Sequence, residues 1–138
     1  MVNKELFKHD HFATRAGMEV IDMGEGWAKA RMLVTEQHLN AAGTCQGGAL
    51  FTLADLAFAA AVNSHGIMTV STSTNITYFK SVASGWVYAE AKEIVDHYRL
   101  PFAEVRLTDE EGELIAFFTS CGYRKKGATL SPPSTENH

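Results

Sequence analysis

The strongest periodic signal lies between residues 47 and 64, where Leu50, Leu53, Ala54, Ala57, Phe58 and Ala61 recur at the spacing of one helix face. Alanines at 49, 59 and 60 keep the other side small, so the helix is apolar almost all round and reads as buried. Gly47-Gly48 opens it, and Gly66 is expected to cap its end. Upstream, Asn3 as an N-cap and the apolar set Leu6, Phe7 and Phe12 predict a short helix over residues 3–15. Met18 to Met23 is extended, Gly24-Glu25-Gly26 carries turn chemistry, and Trp27 to Val34 alternates. Trp27, Lys29, Arg31 and Leu33 face one way and Ala28, Ala30, Met32 and Val34 the other, the period of a β-hairpin strand.

After the helix the period changes. Ile67 to Phe79 is β-branched and aromatic; Trp86 to Tyr98 and Phe102 to Thr108 follow; Asp109-Glu110-Glu111-Gly112 turns the chain into Leu114 to Tyr123. Short turns between these strands imply antiparallel pairing. The expected fold class is therefore α+β: an antiparallel sheet of five or six strands wrapped around one central helix about 27 Å long.

Composition narrows this picture. A chain of 138 residues, 46% hydrophobic and 20% charged, fits one domain, residues 1–126. The stretch 127–138, GATLSPPSTENH, is polar with paired prolines and is expected to be a disordered tail. A net charge of −4 gives no global basic surface, which argues against nucleic acid or an anionic membrane as partner. No apolar run approaches the roughly 20 residues that span a bilayer, and the N-terminus lacks an export signal. Cys45 and Cys121 have no C-x-x-C spacing, so reduced thiols in a cytoplasm are expected. The six histidines form no H-E-x-x-H pair; neither a metal nor a cofactor is expected.

The chemical anomaly is Asp55, a lone acid flanked by Leu53, Ala54, Leu56, Ala57 and Phe58. Packing the helix strips its hydration, so it needs a compensating partner or a use. Burial raises its pKa and hydrogen bonds to the charged form lower it; ionised, it can activate water or attack a carbonyl. Gly47 and Gly48 leave backbone N–H groups free at the positive end of the helix dipole, a place for an oxyanion, or else they only permit close packing. Eight residues separate Gly47 from Asp55, about 12 Å along the axis. One carbonyl cannot touch both, so a shared reaction requires two antiparallel copies of the helix, a homodimer with two composite sites. Asn40 can orient a water or acyl group, or form a turn; Ser71, Ser73 and Thr74 offer hydroxyls on the next strand. Cys45, just before the helix, is the rival nucleophile, with His38, His65 and His97 as candidate bases.

The segments HLNAAGTCQGGALFTLADLAFAAAVN and STNITYFKSVASGWVYAEA, taken together, resemble the hotdog-fold thioesterases of the phenylacetate-degradation (PaaI-like) group, over roughly residues 11–125. That resemblance implies a six-stranded sheet around the helix, dimers often paired into tetramers, and hydrolysis of acyl-CoA or aryl-CoA thioesters. It assigns the oxyanion glycine to Gly47, the catalytic acid to Asp55, the loop amide to Asn40 and the hydroxyl to Ser71, with Ser73 as the alternative. Gln46 and Gly48 fall beside the acyl carbonyl, and Gln46 stands where the group commonly has histidine. Lys80, Arg99, Arg124, Lys125 and Lys126 are the candidate cations for CoA phosphates, or a solvated basic face. Two other activities fit the same fold: a catalytically silent acyl-CoA-binding module, and a dehydratase, for which the loop lacks a catalytic histidine.

Overall fold

A computed structural model describes residues 2–130. Six strands, β1 (Met18–Gly24), β2 (Trp27–Val34), β3 (Ile67–Tyr78), β4 (Gly85–Val95), β5 (Phe102–Thr108) and β6 (Leu114–Thr129), form one sheet in the order β1-β2-β4-β5-β6-β3. Every neighbouring pair is antiparallel. The long helix, α2 (Gly47–Val62), lies across the sheet's inner face.

The alternation in β2 sorts as its sequence requires, with Ala28, Ala30, Met32 and Val34 buried. Opposite them on β4 and β5 are Val87, Ala89, Ala91, Ala103, Val105 and Leu107, all buried. Small side chains on the sheet let an alanine-rich helix approach closely, so the core is dense without being bulky. At the β6 end the filling changes: Phe118 lies between Phe51 and Phe58, with ring centroids 5.5 and 6.1 Å away. Such aromatic contacts add to the stabilisation from buried area and anchor the helix at the β6 end of the sheet.

Several boundaries differ from the sequence expectation. The segment 3–15 is two short helices, a 3-10 helix over Lys4–His9 and α1 (His11–Arg15). Asn3 caps the first as expected, accepting from Glu5 N at 2.9 Å. Asp10, in extended conformation, breaks the run and caps the second by accepting from Ala13 N at 3.0 Å. Helix α2 stops at Asn63, short of Gly66. The Asn63 amide bridges out to β3, donating to Thr69 O and accepting from Thr69 N at 2.7 Å, and Gly66 turns the chain afterwards with φ +85°. Strand β4 ends at Val95, because residues 96–101 make a loop around His97 Nδ1, which accepts from Arg99 N and Leu100 N. Strand β6 continues through Gly127 to Thr129, three residues into the expected tail, and Leu130 N donates to Gly66 O. The rest of that expected tail, 131–138, lies outside the described residues.

β3 closes one edge of the sheet and is exposed on both faces for most of its length; among its twelve residues only Thr69 is buried. Among the described residues no helix is long and apolar enough to cross a membrane.

Candidate functional site

The loop before α2 is fixed by backbone bonds at its last two residues. Cys45 N donates to Val82 O and Gln46 N to His38 O, each at 2.7 Å. Gln46 is the N-cap, and its carbonyl accepts from Ala49 N at 2.9 Å and Leu50 N at 3.3 Å. Its exposed side chain makes no capping bond. At this position the backbone does the structural work. Among the described residues the N–H groups of Gly47 and Gly48 have no acceptor, so two donors stand free at the positive end of a sixteen-residue helix.

Asp55 is half-buried, on the same helix face as Phe51 and Phe58. Its carboxylate accepts no hydrogen bond among the described residues. Burial pushes its pKa above the ordinary 3.8, and the nearby Asp10 charge adds to the shift. Among the described residues no cation or hydrogen-bond donor compensates this acid.

Asn40 holds its own loop: Oδ1 accepts from Ala42 N and Thr44 N, and Nδ2 donates to Thr44 Oγ1 at 3.2 Å. One amide hydrogen remains for a ligand. Ser71 Oγ meets Thr74 Oγ1 at 2.9 Å and Ser120 Oγ at 2.6 Å, and Thr74 Oγ1 meets Ser120 Oγ at 2.9 Å. A register shift between Ser71 and Ser73 explains the choice of partners: the extra residue puts Ser71 on the side of Thr74, and Ser73 contributes only its carbonyl. Ser120 could not be singled out from sequence, since it comes from a strand 49 residues downstream of Ser71. Tyr78 was missed for the same reason. Its hydroxyl donates to Gly47 O at 2.7 Å across 31 residues.

The candidate cations separate into two groups. Arg124 is closed to a phosphate, with its side chain only 7% exposed and Nη2 bonded to Glu93 at 2.9 Å and Asp96 at 2.7 Å. Lys80 is engaged by Glu113 at 2.6 Å and Asp109 at 3.2 Å. Both pairings are internal clamps on turns, which sequence reading could not distinguish from a ligand-facing cation. Arg99 donates to Arg124 O and lies beside the Tyr98 and Tyr123 rings, while Lys125 and Lys126 are exposed.

Among the described residues the cysteine alternative finds no free base. Burial pushes the Cys45 thiol up, away from thiolate. His38 has both ring nitrogens occupied by backbone: Nδ1 accepts from Thr35 N at 2.9 Å, which places the proton on Nε2, 2.6 Å from Ala16 O. His65 bonds Glu93 at 2.8 Å, and His97 organises its own loop. Cys45→Ala is predicted to keep kcat within about twofold of wild type, because a thiol outside the reaction removes only packing; a loss of 10²-fold or more in a thiol-release assay would restore it as nucleophile.

Comparison with known proteins identifies the family and the fold. The family model for the thioesterase superfamily matches residues 42–116, from the loop through α2 to β6. A putative esterase of Archaeoglobus fulgidus is 37% identical over 124 residues, covering 89% of this chain and 80% of that one. The acyl-coenzyme A thioesterase PaaI of Escherichia coli is 31% identical over 123 residues, covering 88% of each. The structure of the E. coli PaaI protein from the phenylacetic acid degradation operon superposes with a TM-score of 0.87, at 30% identity over 92% of both chains. With its single helix, its antiparallel sheet and these matches, the chain belongs to the thioesterase superfamily, as a PaaI-like hotdog member.

Proposed function

We propose that this protein hydrolyses acyl-CoA or aryl-CoA thioesters to the free acid and CoA, in two composite sites of a homodimer. The observation that carries the reading is the half-buried Asp55 carboxylate, without a partner among the described residues, on the same helix that opens with two free N–H groups. The thioester oxygen accepts from Gly47 N–H, with Gly48 N–H beside it, where the helix dipole favours the charge that grows during attack. Asp55 of the partner copy either takes a proton from water or attacks the carbonyl itself. The remaining amide hydrogen of Asn40 and the Ser71 hydroxyl place the reactants. A thiolate leaves without strong acid assistance, so the reaction requires no general acid beside Gly47. Gln46 acts through its backbone, which is why glutamine can stand there. For the CoA phosphates the candidates are Arg99, Lys125 and Lys126.

The dimer follows from distance and from the exposed edge. Gly47 and Asp55 are about 12 Å apart along one helix, and β3 offers a long unpaired edge that a second copy can extend by main-chain hydrogen bonds.

Two measurements test this. Thiol release across short-chain, long-chain and aromatic acyl-CoAs should find turnover; tight binding without release would leave a silent binding module. Mixing Gly47→Ala subunits with Asp55→Asn subunits, each inactive alone, should restore about a quarter of wild-type activity, since half the dimers are mixed and each has one intact site. No recovery would mean that each chain carries a complete site of its own.

A further inference from the structure

Glycine at position 47 is not demanded by the backbone, because Gly47 is absent from the chain's positive-φ glycines. Space demands it. A Cβ there would lie 3.0 Å from both Cζ and Oη of Tyr78 and 3.4 Å from Cε2, closer than most such contacts, so the hydrogen-bonded ring would have to give by a few tenths of an ångström. Tyr78 arrives as the last residue of β3, held opposite Ala116 of β6, so the sheet delivers the ring against the start of α2.

The phenol also bonds what it touches. Tyr78 Oη donates to Gly47 O at 2.7 Å. A helical carbonyl has two lone pairs and the helix uses one, so the phenol takes the second without breaking the ladder. That bond sets the plane of the peptide joining Gly47 to Gly48, and with it the direction of Gly48 N–H. Three contacts from outside α2 thus hold the segment 45–48, with Val82 O, His38 O and Tyr78 Oη. Only the third uses a side chain.

Resting on the thioesterase reading, we infer that Tyr78 is a positioning residue for the reaction: its hydroxyl aims the Gly48 amide at the thioester oxygen beside Gly47 N–H, and its ring is the reason position 47 is glycine. Burial, and secondarily Cys45, push the phenol above its ordinary 10.0, so it remains a donor across the working pH range. It therefore contributes geometry and no titration of its own.

The test is Tyr78→Phe, which keeps the ring and removes the bond. Turnover should fall about tenfold, less than the 10²–10³ expected from losing an oxyanion donor itself. KM should stay within about twofold and the acid limb of the pH profile should not move, because ground-state binding and Asp55 are untouched. In 15N–1H spectra the Gly47 and Gly48 amide signals should shift. As a check on the ring, Gly47→Ala should lose less activity in a Tyr78→Ala background than in wild type. Wild-type kcat in Tyr78→Phe, a loss confined to KM, or unmoved glycine amide signals would each overturn the inference. If wild-type protein released no thiol from any acyl-CoA, the hydrolase reading would fall, and the amide signals alone would still decide whether Tyr78 orients this turn.

Discussion

Asp55→Asn is expected to lower kcat by about 10³-fold or more, the range for a lost general base or carboxylate nucleophile, while the protein becomes more thermostable at neutral pH. The second effect follows from the sign of the pKa shift. Burial holds the Asp55 carboxyl above 3.8 in the folded chain, so the unfolded chain ionises it more readily. Its contribution to stability is fully present below the unfolded value and is lost as pH rises through the raised folded value. Asparagine carries no charge to bury, so the variant gains at pH 7, on the order of a few degrees in Tm, and the gain fades below pH 3.8. The wild-type kcat/KM profile should show its acid limb above 3.8, since only ionised Asp55 can act as base or nucleophile. Retained turnover in Asp55→Asn, or an Asn variant less stable than wild type at pH 7, would contradict the role given to this acid.

The largest loss of stability is expected at Arg124, not on the helix. Glu93 and Arg124 are 5% and 7% exposed at the side chain and lie 2.9 Å apart, with Asp96 and the His97 carbonyl completing the guanidinium's partners. Arg124→Ala leaves the Glu93 charge buried with, among the described residues, only His65 bonded to it, and breaking such a pair costs roughly 3–5 kcal/mol. Chemical denaturation should show that loss in wild-type buffer, with KM for an acyl-CoA unchanged in whatever fraction stays folded. A variant of wild-type stability with a raised KM would instead mean that Arg124 reaches the phosphates. Glu93→Gln with Arg124→Met should recover much of the lost stability, since removing both charges removes the penalty.

These two residues mark how far the sequence could be read. The fold was legible because its signals are local: a 3.6-residue apolar repeat over α2, a two-residue alternation in β2, and a turn at Asp109 to Gly112. Asp55 and Gly47 stood out because one is a charge in an apolar helix and the other opens it. Lys80 and Arg124 could not be assigned from sequence, since a basic residue on a strand looks the same whether it meets solvent, a phosphate or a buried carboxylate. Only the register of β4, β5, β6 and β3 puts Glu93 beside Arg124 and Glu113 beside Lys80. The hydroxyl triangle shows the same limit more finely. Period-two reasoning pairs Ser71 with Ser73, and one inserted residue in β3 gives Thr74 that place instead. Helix ends were misjudged where side chains overrode propensity, at Asp10 and Asn63.

The open edge of β3 has a consequence for how assembly is limited. The outer side of this twelve-residue edge strand invites any extended segment, and a protein that displayed such an edge at both sides of its sheet would grow without end. Here the far edge, β1, is partly covered by the N-terminal 3-10 helix, with Lys4 Nζ donating to Ile21 O at 3.1 Å. Self-pairing at β3 under two-fold symmetry uses up the exposed strand on both copies at once, so the step that would complete two sites would also terminate polymerisation, and the unprotected species would be the lone chain fresh from synthesis.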